Sequence, residues 1–163
     1  DIIAAQTNYV LSLDGAITDE DQETIRTLET QIAKVKSPDL TANALPTELP
    51  LGVPAAYWLD LRDYDPAEEA KAINEPILIL QGERDYQVTM EDFRGWKNAL
   101  GTRSNVAFIS YPKLNHLFMR GEGKSVPSEY LRAGNVEEEL VEDIAEWVVR
   151  QGTERNTEAI SEE

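Results

Sequence analysis

The sequence predicts an α/β fold with parallel strands and flanking helices, and three neighbouring segments carry this prediction. Residues 76–80 form an uninterrupted apolar run, which is typical of a strand buried on both faces of a parallel sheet. A helix capped at Thr89 and stopped at Gly101 follows, and residues 106–111 form a second strand-like run. Strand, helix and strand in this order indicate one βαβ unit with a right-handed crossover.

Two helices are predicted ahead of this unit. Residues 1–14 have a loosely helical pattern of apolar side chains, which Gly15 ends. Thr18 and the acids after it indicate a capping box, and an apolar stripe then marks an amphipathic helix at residues 19–36. We expect this helix to pack one face on a core rather than to bind a membrane or form a coiled coil.

Residues 37–53 contain three prolines among small polar side chains, which predicts a loop or hinge without regular structure. Pro54 then begins a short helix that would place Tyr57, Leu61 and Tyr64 along one side. An aromatic stripe of this kind either packs in a core or faces a substrate. The residue pattern leaves both interpretations open.

Two more helices are predicted beside the βαβ unit. Asp65 and Pro66 form a start signal for a helix at residues 67–73. A final helix is predicted at residues 136–150, and the residues after it are polar, so we expect a frayed tail at 151–163. The predicted buried face of the final helix comprises Leu140, Val141, Ile144, Trp147 and Val148.

The composition limits the function classes. A net charge of −16, from 31 acidic and 15 basic residues, opposes binding to nucleic acid or to anionic membranes, because the electrostatic force would be repulsive. No apolar run has the length of a transmembrane helix. Zero cysteines exclude disulfides, thiolate catalysis and zinc sites with cysteine ligands. The cellular compartment is left open.

Polar side chains follow both predicted strands. Asp85 comes shortly after the first strand, and His116, the one histidine of the chain, follows the second. Parallel sheets place their chemistry beyond the carboxyl ends of the strands, so the two side chains are expected to meet there. A carboxylate that orients an imidazole is the arrangement that activates a serine nucleophile, because the imidazole takes the hydroxyl proton.

The runs I-L-I-L-Q-G-E-R-D-Y-Q-V at 77–88 and Y-P-K-L-N-H-L-F at 111–118 resemble the C-terminal half of α/β hydrolases of the dienelactone-hydrolase or prolyl-oligopeptidase-like type. The resemblance covers residues 54–150. It implies a Ser-Asp-His triad in which Asp85, three residues after Gly82, is the acid and His116 is the base. It implies no metal or organic cofactor.

The same resemblance implies that the nucleophile lies elsewhere, because no G-x-S-x-G elbow precedes Asp85. We expect the chain to be a fragment whose serine and oxyanion hole lie upstream of Asp1, and to be inactive alone. Residues 1–53 would form a helical lid or insertion, and residues 54–150 the C-terminal half of the hydrolase core. Tyr57 and Trp58, at the implied mouth of the pocket, are candidate substrate-binding residues.

Several individual residues admit other interpretations. Glu83, Asp92 and Asp63 compete with Asp85 as the acid, with capping or surface solvation as the structural alternative. Asp85 is preferred, because the family motif places its acid three residues after Gly82. Residues 121–125 suggest a phosphate loop, but that motif requires glycine where Phe118 stands. Ser125 follows the histidine instead of preceding the acid, so we expect a loop residue and not a nucleophile.

Two function classes remain from the sequence. In the first, the chain is part of a serine hydrolase that acts on a small-molecule ester, thioester or peptide carbonyl and completes its fold with the missing N-terminal half. In the second, it is a non-enzymatic, degenerate hydrolase-like module that binds a partner. A half-sheet would also expose an unpaired strand edge, through which a homodimer could form.

Overall fold

The computed structural model describes the backbone of residues 2–161 and the side chains as far as Thr153. The chain divides into two compact units, Asp1–Glu69 and Ala70–Glu163. The sequence predicts a different boundary, between a lid at residues 1–53 and a hydrolase core from residue 54, and that boundary stays a prediction.

The first unit is helical. It contains α1 (Ile2–Leu11), α2 (Asp19–Lys36), α3 (Ala55–Leu61) and α4 (Pro66–Glu69). Asp1, which the predicted first helix included, lies outside the described residues. That helix also ends earlier than predicted, since a 3₁₀ turn at Ser12–Asp14 replaces its last turn before Gly15.

The start of α2 follows the sequence signal. The Thr18 hydroxyl accepts a hydrogen bond from the backbone N–H of Asp21, and the Asp21 carboxylate accepts one from the backbone N–H of Thr18. This reciprocal pair satisfies two of the N–H groups that a helix start leaves without partners. The helix therefore begins at the predicted residue and ends at Lys36, also as predicted.

The proline-rich segment is more ordered than predicted. It forms 3₁₀ turns at Pro46–Glu48 and Pro50–Gly52, and it contributes Leu40 and Leu49 to a buried cluster with Ala55. Proline fixes φ near the helical value and therefore starts a short turn as readily as it stops a helix. A loop that buries leucines in this way is part of the core of the first unit.

The second unit contains the predicted βαβ arrangement. Strand β1 (Ile77–Gly82) pairs in parallel with β2 (Val106–Tyr111), with Ile77 opposite Val106 and Gly82 opposite Tyr111. Helix α5 (Met90–Leu100) connects them and begins with a capping box formed by Thr89 and Asp92. The α/β fold class with parallel strands and flanking helices is confirmed.

The prediction that β1 is buried on both faces is wrong for this chain. Its four apolar residues, Ile77 to Leu80, are half-buried. Within the described residues the sheet has two strands, so each strand pairs along one edge and neither is sandwiched between neighbours. An uninterrupted apolar run is typical of a strand that is covered on both faces in a larger sheet.

Side chains join the amino ends of the two strands. The guanidinium of Arg103 donates to the backbone carbonyls of Ala70, Lys71 and Ile73, which precede β1. The side-chain amide of Asn105 donates to the carbonyls of Asn74 and Glu75, at 3.1 and 2.9 Å. These bonds satisfy carbonyls that a chain entering a strand otherwise leaves to water.

The final helix, α6 (Glu138–Ser161), packs on the sheet through Leu140, which joins Tyr111 and Leu114 in a buried cluster. The predicted buried face is only partly correct, because Val141 and Val148 are more than half exposed. The helix continues past its predicted end at residue 150 as far as Ser161, and the fraying predicted for residues 151–163 stays a prediction. None of the helices in the described part of the chain is long and apolar enough to cross a membrane.

Candidate active site

The carboxyl ends of β1 and β2 bring two loops side by side. The ladder continues past Gly82, because the backbone N–H of Glu83 donates to the Tyr111 carbonyl at 2.9 Å and that of Arg84 to the Leu114 carbonyl at 3.0 Å. The first loop carries Asp85 and the second carries His116. Backbone hydrogen bonds, rather than side-chain packing, therefore set the distance between the two loops.

Gly82 makes this approach possible. A Cβ at that position would lie 2.5 Å from the carbonyl oxygen of Leu114 and 2.7 Å from that of Asn115. Both atoms belong to the backbone, so neither can move aside as a flexible side chain would. The glycine of the G-x-x-D pattern thus leaves room for the loop that carries His116.

The carboxylate of Asp85 is held at both oxygens. Its Oδ1 accepts hydrogen bonds from the backbone N–H groups of Gln87 and Val88, at 2.7 and 3.0 Å. Its Oδ2 lies 2.8 Å from Nδ1 of His116. The Asp85 side chain is only 6% exposed, so the turn both buries the carboxylate and aims one oxygen at the imidazole.

The hydrogen bond to Asp85 determines which nitrogen of His116 is free. An ionised carboxylate only accepts hydrogen bonds, so Nδ1 of His116 must donate. In the neutral imidazole this leaves the lone pair on Nε2, which bonds to none of the described residues. The His116 side chain is 38% exposed, so part of the imidazole is open to solvent.

The turn around His116 is organised by its neighbour Asn115, which is fully buried. The Asn115 side-chain oxygen accepts from the backbone N–H groups of Leu117 and Met119, at 3.0 and 3.1 Å. Phe118 lies between them in the left-handed region, with a φ of 53°, and its N–H donates to the Asn115 carbonyl. One amide side chain thus fixes the tight turn that presents the imidazole.

The dienelactone hydrolase family matches this chain over residues 52–152. That range contains both loops and covers more than half of the sequence. The chain belongs to the dienelactone hydrolase family. The family has the α/β-hydrolase fold, in agreement with the small parallel sheet and flanking helices.

A relative with the name esterase EstD, from Thermotoga maritima, is 39% identical over 150 residues, which make up 92% of this chain and 34% of the relative. The chain therefore spans about a third of the length of this curated relative. No solved structure matches the chain.

Within this family match, two of the three other acids considered from the sequence, Glu83 and Asp92, have structural partners. Glu83 accepts a hydrogen bond from the Ser110 hydroxyl at 2.8 Å, and Asp92 caps α5. Ser125 is fully buried and donates to Glu129, so it is not presented as a nucleophile. Among the described residues, the structure brings Asp85 and His116 together. Their catalytic roles stay predictions at this point.

The two aromatic candidates lie in the first unit. Tyr57 and Trp58 are neighbours on α3, with their rings edge to face and the centroids 5.2 Å apart. Trp58 packs against the Leu40, Leu49 and Ala55 cluster, whereas Tyr57 is about half exposed. Helix α3 ends at Leu61, so Tyr64 lies beyond the helical stripe that the sequence predicted. Substrate binding by Tyr57 and Trp58 stays a prediction.

Sequence reasoning missed Glu129, a partly buried acid close to both loops. Its carboxylate pairs with Arg84 at 2.6 Å and accepts a hydrogen bond from the Asn115 amide at 3.1 Å. Burial alone would raise the pKa of Glu129, but the hydrogen bonds from Arg84 and Asn115 outweigh it, and the pKa lies below its ordinary value. A 3₁₀ turn at Pro127–Leu131 carries this residue, and such a turn gives no periodic signal.

Proposed function

We propose that this chain supplies the acid and the base of a Ser-Asp-His triad in a serine hydrolase whose nucleophile lies upstream of Asp1. One observation carries the proposal: the Asp85 carboxylate lies 2.8 Å from Nδ1 of His116, while Nε2 of His116 has no partner among the described residues. A catalytic base needs this combination of one nitrogen held and one nitrogen free. Membership of the dienelactone hydrolase family supports it further.

The geometry accounts for the proton transfers of such a reaction. Nε2 of His116 takes the proton of the serine hydroxyl as its oxygen attacks the substrate carbonyl carbon. The imidazolium that forms donates from Nδ1 to Asp85, whose charge stabilises it. His116 then gives the proton to the leaving group, the acyl-enzyme is hydrolysed by water, and His116 acts as base again for the attacking water. Backbone amides upstream of this chain would bind the oxyanion.

The substrate is an ester, thioester or peptide carbonyl, and the similarity to an esterase favours an ester. In this proposal residues 1–53 act as the lid, and Tyr57 and Trp58 line the mouth of the pocket. The half-buried face and the unpaired edges of the sheet would be completed by strands from the N-terminal half of the same protein.

The test compares three proteins with a fluorophosphonate probe, which labels activated serines covalently. The first is the longer protein that contains this chain, the second is its His116→Ala variant, and the third is the chain alone. We expect one labelled serine upstream of Asp1, loss of labelling in the variant, and no labelling of the chain alone. Equal labelling of the first two proteins would contradict the role of His116.

The alternative function is a non-enzymatic module that binds a partner or dimerises. The exposed valines of α6, including Val141 and Val148, favour it, because apolar side chains at a helix surface are typical of a contact face. Analytical ultracentrifugation of the longer protein distinguishes the two. A dimer that persists without any serine labelling would support the module, whereas a labelled monomer would exclude it.

A further inference from the structure

A second connection joins the two loops, next to the contact between Asp85 and His116. Arg84 directly precedes Asp85, and Asn115 directly precedes His116. Glu129 bridges these two neighbours: its Oε1 accepts from Nη2 of Arg84 at 2.6 Å, and its Oε2 accepts from Nδ2 of Asn115 at 3.1 Å. Besides their backbone hydrogen bonds, the loops are thus linked twice by side chains, once through the proposed catalytic pair and once through Arg84, Glu129 and Asn115.

The bridge is shielded from solvent. The side chain of Arg84 is 7% exposed and that of Glu129 is 17% exposed, while Asn115 is fully buried. The buried hydroxyl of Ser125 adds a further hydrogen bond to Oε2 of Glu129, at 3.2 Å. Charged groups removed from water in this way bind each other in a fixed geometry, and removal of one partner leaves the others unsatisfied.

Glu129 also determines which way the Asn115 amide points. A carboxylate only accepts hydrogen bonds, so the NH₂ group of Asn115 must face Glu129. The Asn115 oxygen is then turned towards the backbone N–H groups of Leu117 and Met119, from which it accepts hydrogen bonds. By orienting the Asn115 amide, Glu129 therefore places the oxygen that holds the turn containing His116.

Arg84 is fixed on its other side by the segment that leads to Glu129. Its Nε donates to the Gly123 carbonyl at 2.9 Å, and its Nη2 also donates to the Glu122 carbonyl at 3.3 Å. Gly121 lies against the guanidinium so closely that a Cβ there would be 2.0 Å from Nη1. The position of the Asp85 turn is therefore tied to the same segment as the His116 turn.

We propose that Glu129 is a positioning residue for the Asp85–His116 pair, which it holds in register by orienting Asn115 and anchoring Arg84. The proposal rests on the function proposed above. Glu129 does not touch the reacting atoms, and its effect is on the geometry of the base. The chemistry it needs is donor and acceptor matching towards both Arg84 and Asn115, not a negative charge at position 129 as such.

This distinction provides the test. In Glu129→Gln the new amide is free to turn its NH₂ group towards Arg84 or towards Asn115, and either orientation places donor against donor. The exchanged pair, Asn115→Asp with Glu129→Gln, restores one donor facing one acceptor. Its net charge equals that of the unmodified chain, because the negative charge moves from position 129 to position 115. Glu122→Gln is the matched control. Glu122 is an exposed acid in the same segment as Glu129, it pairs with Lys113, and the substitution removes its charge.

The first readout uses the 163-residue chain, in which His116 is the one histidine, so its imidazole NMR signals need no further assignment. We expect a protected Nδ1–H signal in the unmodified chain and in Glu122→Gln. We expect that signal to exchange faster or disappear in Glu129→Gln and to return in the exchanged pair. An unchanged signal in folded Glu129→Gln would overturn the proposal, as would a folded exchanged pair that does not recover it.

The second readout is activity in the longer protein. Misplacement of a base by about 1 Å lowers turnover on the order of 10- to 100-fold, so kcat should fall in Glu129→Gln while KM stays near its original value. The exchanged pair should recover most of the loss. If Glu129→Gln does not fold, the exchanged pair decides between the outcomes. A folded exchanged pair with the Nδ1–H signal supports the proposal, because donor and acceptor matching predicts it, and an exchanged pair without that signal overturns the proposal.

Failure of this proposal is distinguishable from failure of the proposed function. If His116→Ala keeps its fluorophosphonate labelling, the triad is wrong, whereas the NMR readout still reports whether Glu129 orients the His116 turn. If His116→Ala loses its labelling but Glu129→Gln behaves as Glu122→Gln does in both readouts, the triad stands and the positioning role is rejected.

Discussion

Gly82 lies directly against the backbone of Leu114, with a Cβ position only 2.5 Å from the Leu114 carbonyl oxygen. The end of β1 and the loop after β2 are therefore in backbone contact, and no side chain separates them. The position of His116 relative to Asp85 depends on this contact, because Arg84 also donates its N–H to the same carbonyl.

Gly82→Ala should destabilise the second unit. The added methyl group meets two backbone carbonyls, and overpacking of this kind costs about 1–3 kcal/mol. Gly95→Ala is the control, since nothing lies within 4 Å of its Cβ position and it sits inside α5. Alanine is the better helix former, so this control should gain about 0.5–1 kcal/mol. Urea denaturation measures both; a Gly82→Ala chain as stable as the original would contradict the close approach.

Asp85→Asn should abolish most activity while the fold persists. The new amide still offers an oxygen to the N–H groups of Gln87 and Val88, but it then presents NH₂ to His116 and favours the wrong tautomer. Loss of turnover on the order of 10⁴-fold is expected for such a change in a triad. Turnover in the longer protein checks it, with Glu83→Gln as control for loss of a nearby charge. Comparable losses in both variants would argue against Asp85 as the acid.

Tyr111→Phe should alter stability at alkaline pH. Burial, together with the hydrogen bond to Asp143 at 2.7 Å, raises the pKa of Tyr111 well above its ordinary value of 10.0. The unfolded chain releases this proton near pH 10 while the folded chain keeps it, so the stabilisation is fully present below pH 10 and is lost as the pH rises. The variant should lose about 1 kcal/mol at neutral pH and decline less above pH 10.

The alkaline experiment has a matched control in Tyr64→Phe, because Tyr64 is 58% exposed. Denaturant titrations at several pH values between neutral and strongly alkaline give the free energy of unfolding of each variant. If the alkaline decline is equally steep in Tyr111→Phe and in the unmodified chain, the buried hydroxyl of Tyr111 is not its source.

Thr89→Ala should weaken the start of α5 by about 1 kcal/mol, the typical loss for an N-cap. The Thr89 hydroxyl accepts from the N–H of Glu91, and the Asp92 carboxylate bonds back to Thr89. Thr102→Ala is the control, since Thr102 is exposed just after the helix, and changes at such sites stay within about 0.5 kcal/mol. Thermal or urea unfolding compares them, and equal stability of the two variants would show that the cap contributes nothing.

Local signals in the sequence predicted the elements well where the physical cause is itself local. The capping boxes at Thr18 and Thr89 mark the starts of α2 and α5, because the groups that satisfy each other lie three residues apart. The parallel pairing of β1 and β2 followed from the strand, helix, strand order. The meeting of Asp85 with His116 followed from the rule that parallel strands present their carboxyl ends together.

Burial was predicted less well, because it depends on what packs against an element. The apolar pattern of α6 and of β1 indicated fully buried faces, yet Val148 is 54% exposed and Ile77 to Leu80 are half-buried. Glu129 was missed for a related reason. Its partners Arg84 and Asn115 are distant along the chain, and an isolated acid in a proline- and glycine-rich segment looks like a solvated one.

The hydrogen bonds of Arg103 and Asn105 at the amino ends of the two strands affect how the chain folds. Arg103 and Asn105 tie the segment before β1 to the segment before β2, and one helix is all that separates the strands. Contacts between segments so near in sequence have a small loop-closure entropy. The βαβ unit should therefore form early and open as one cooperative body, so that the amide hydrogens bonded between β1 and β2 exchange with solvent at a common, slow rate.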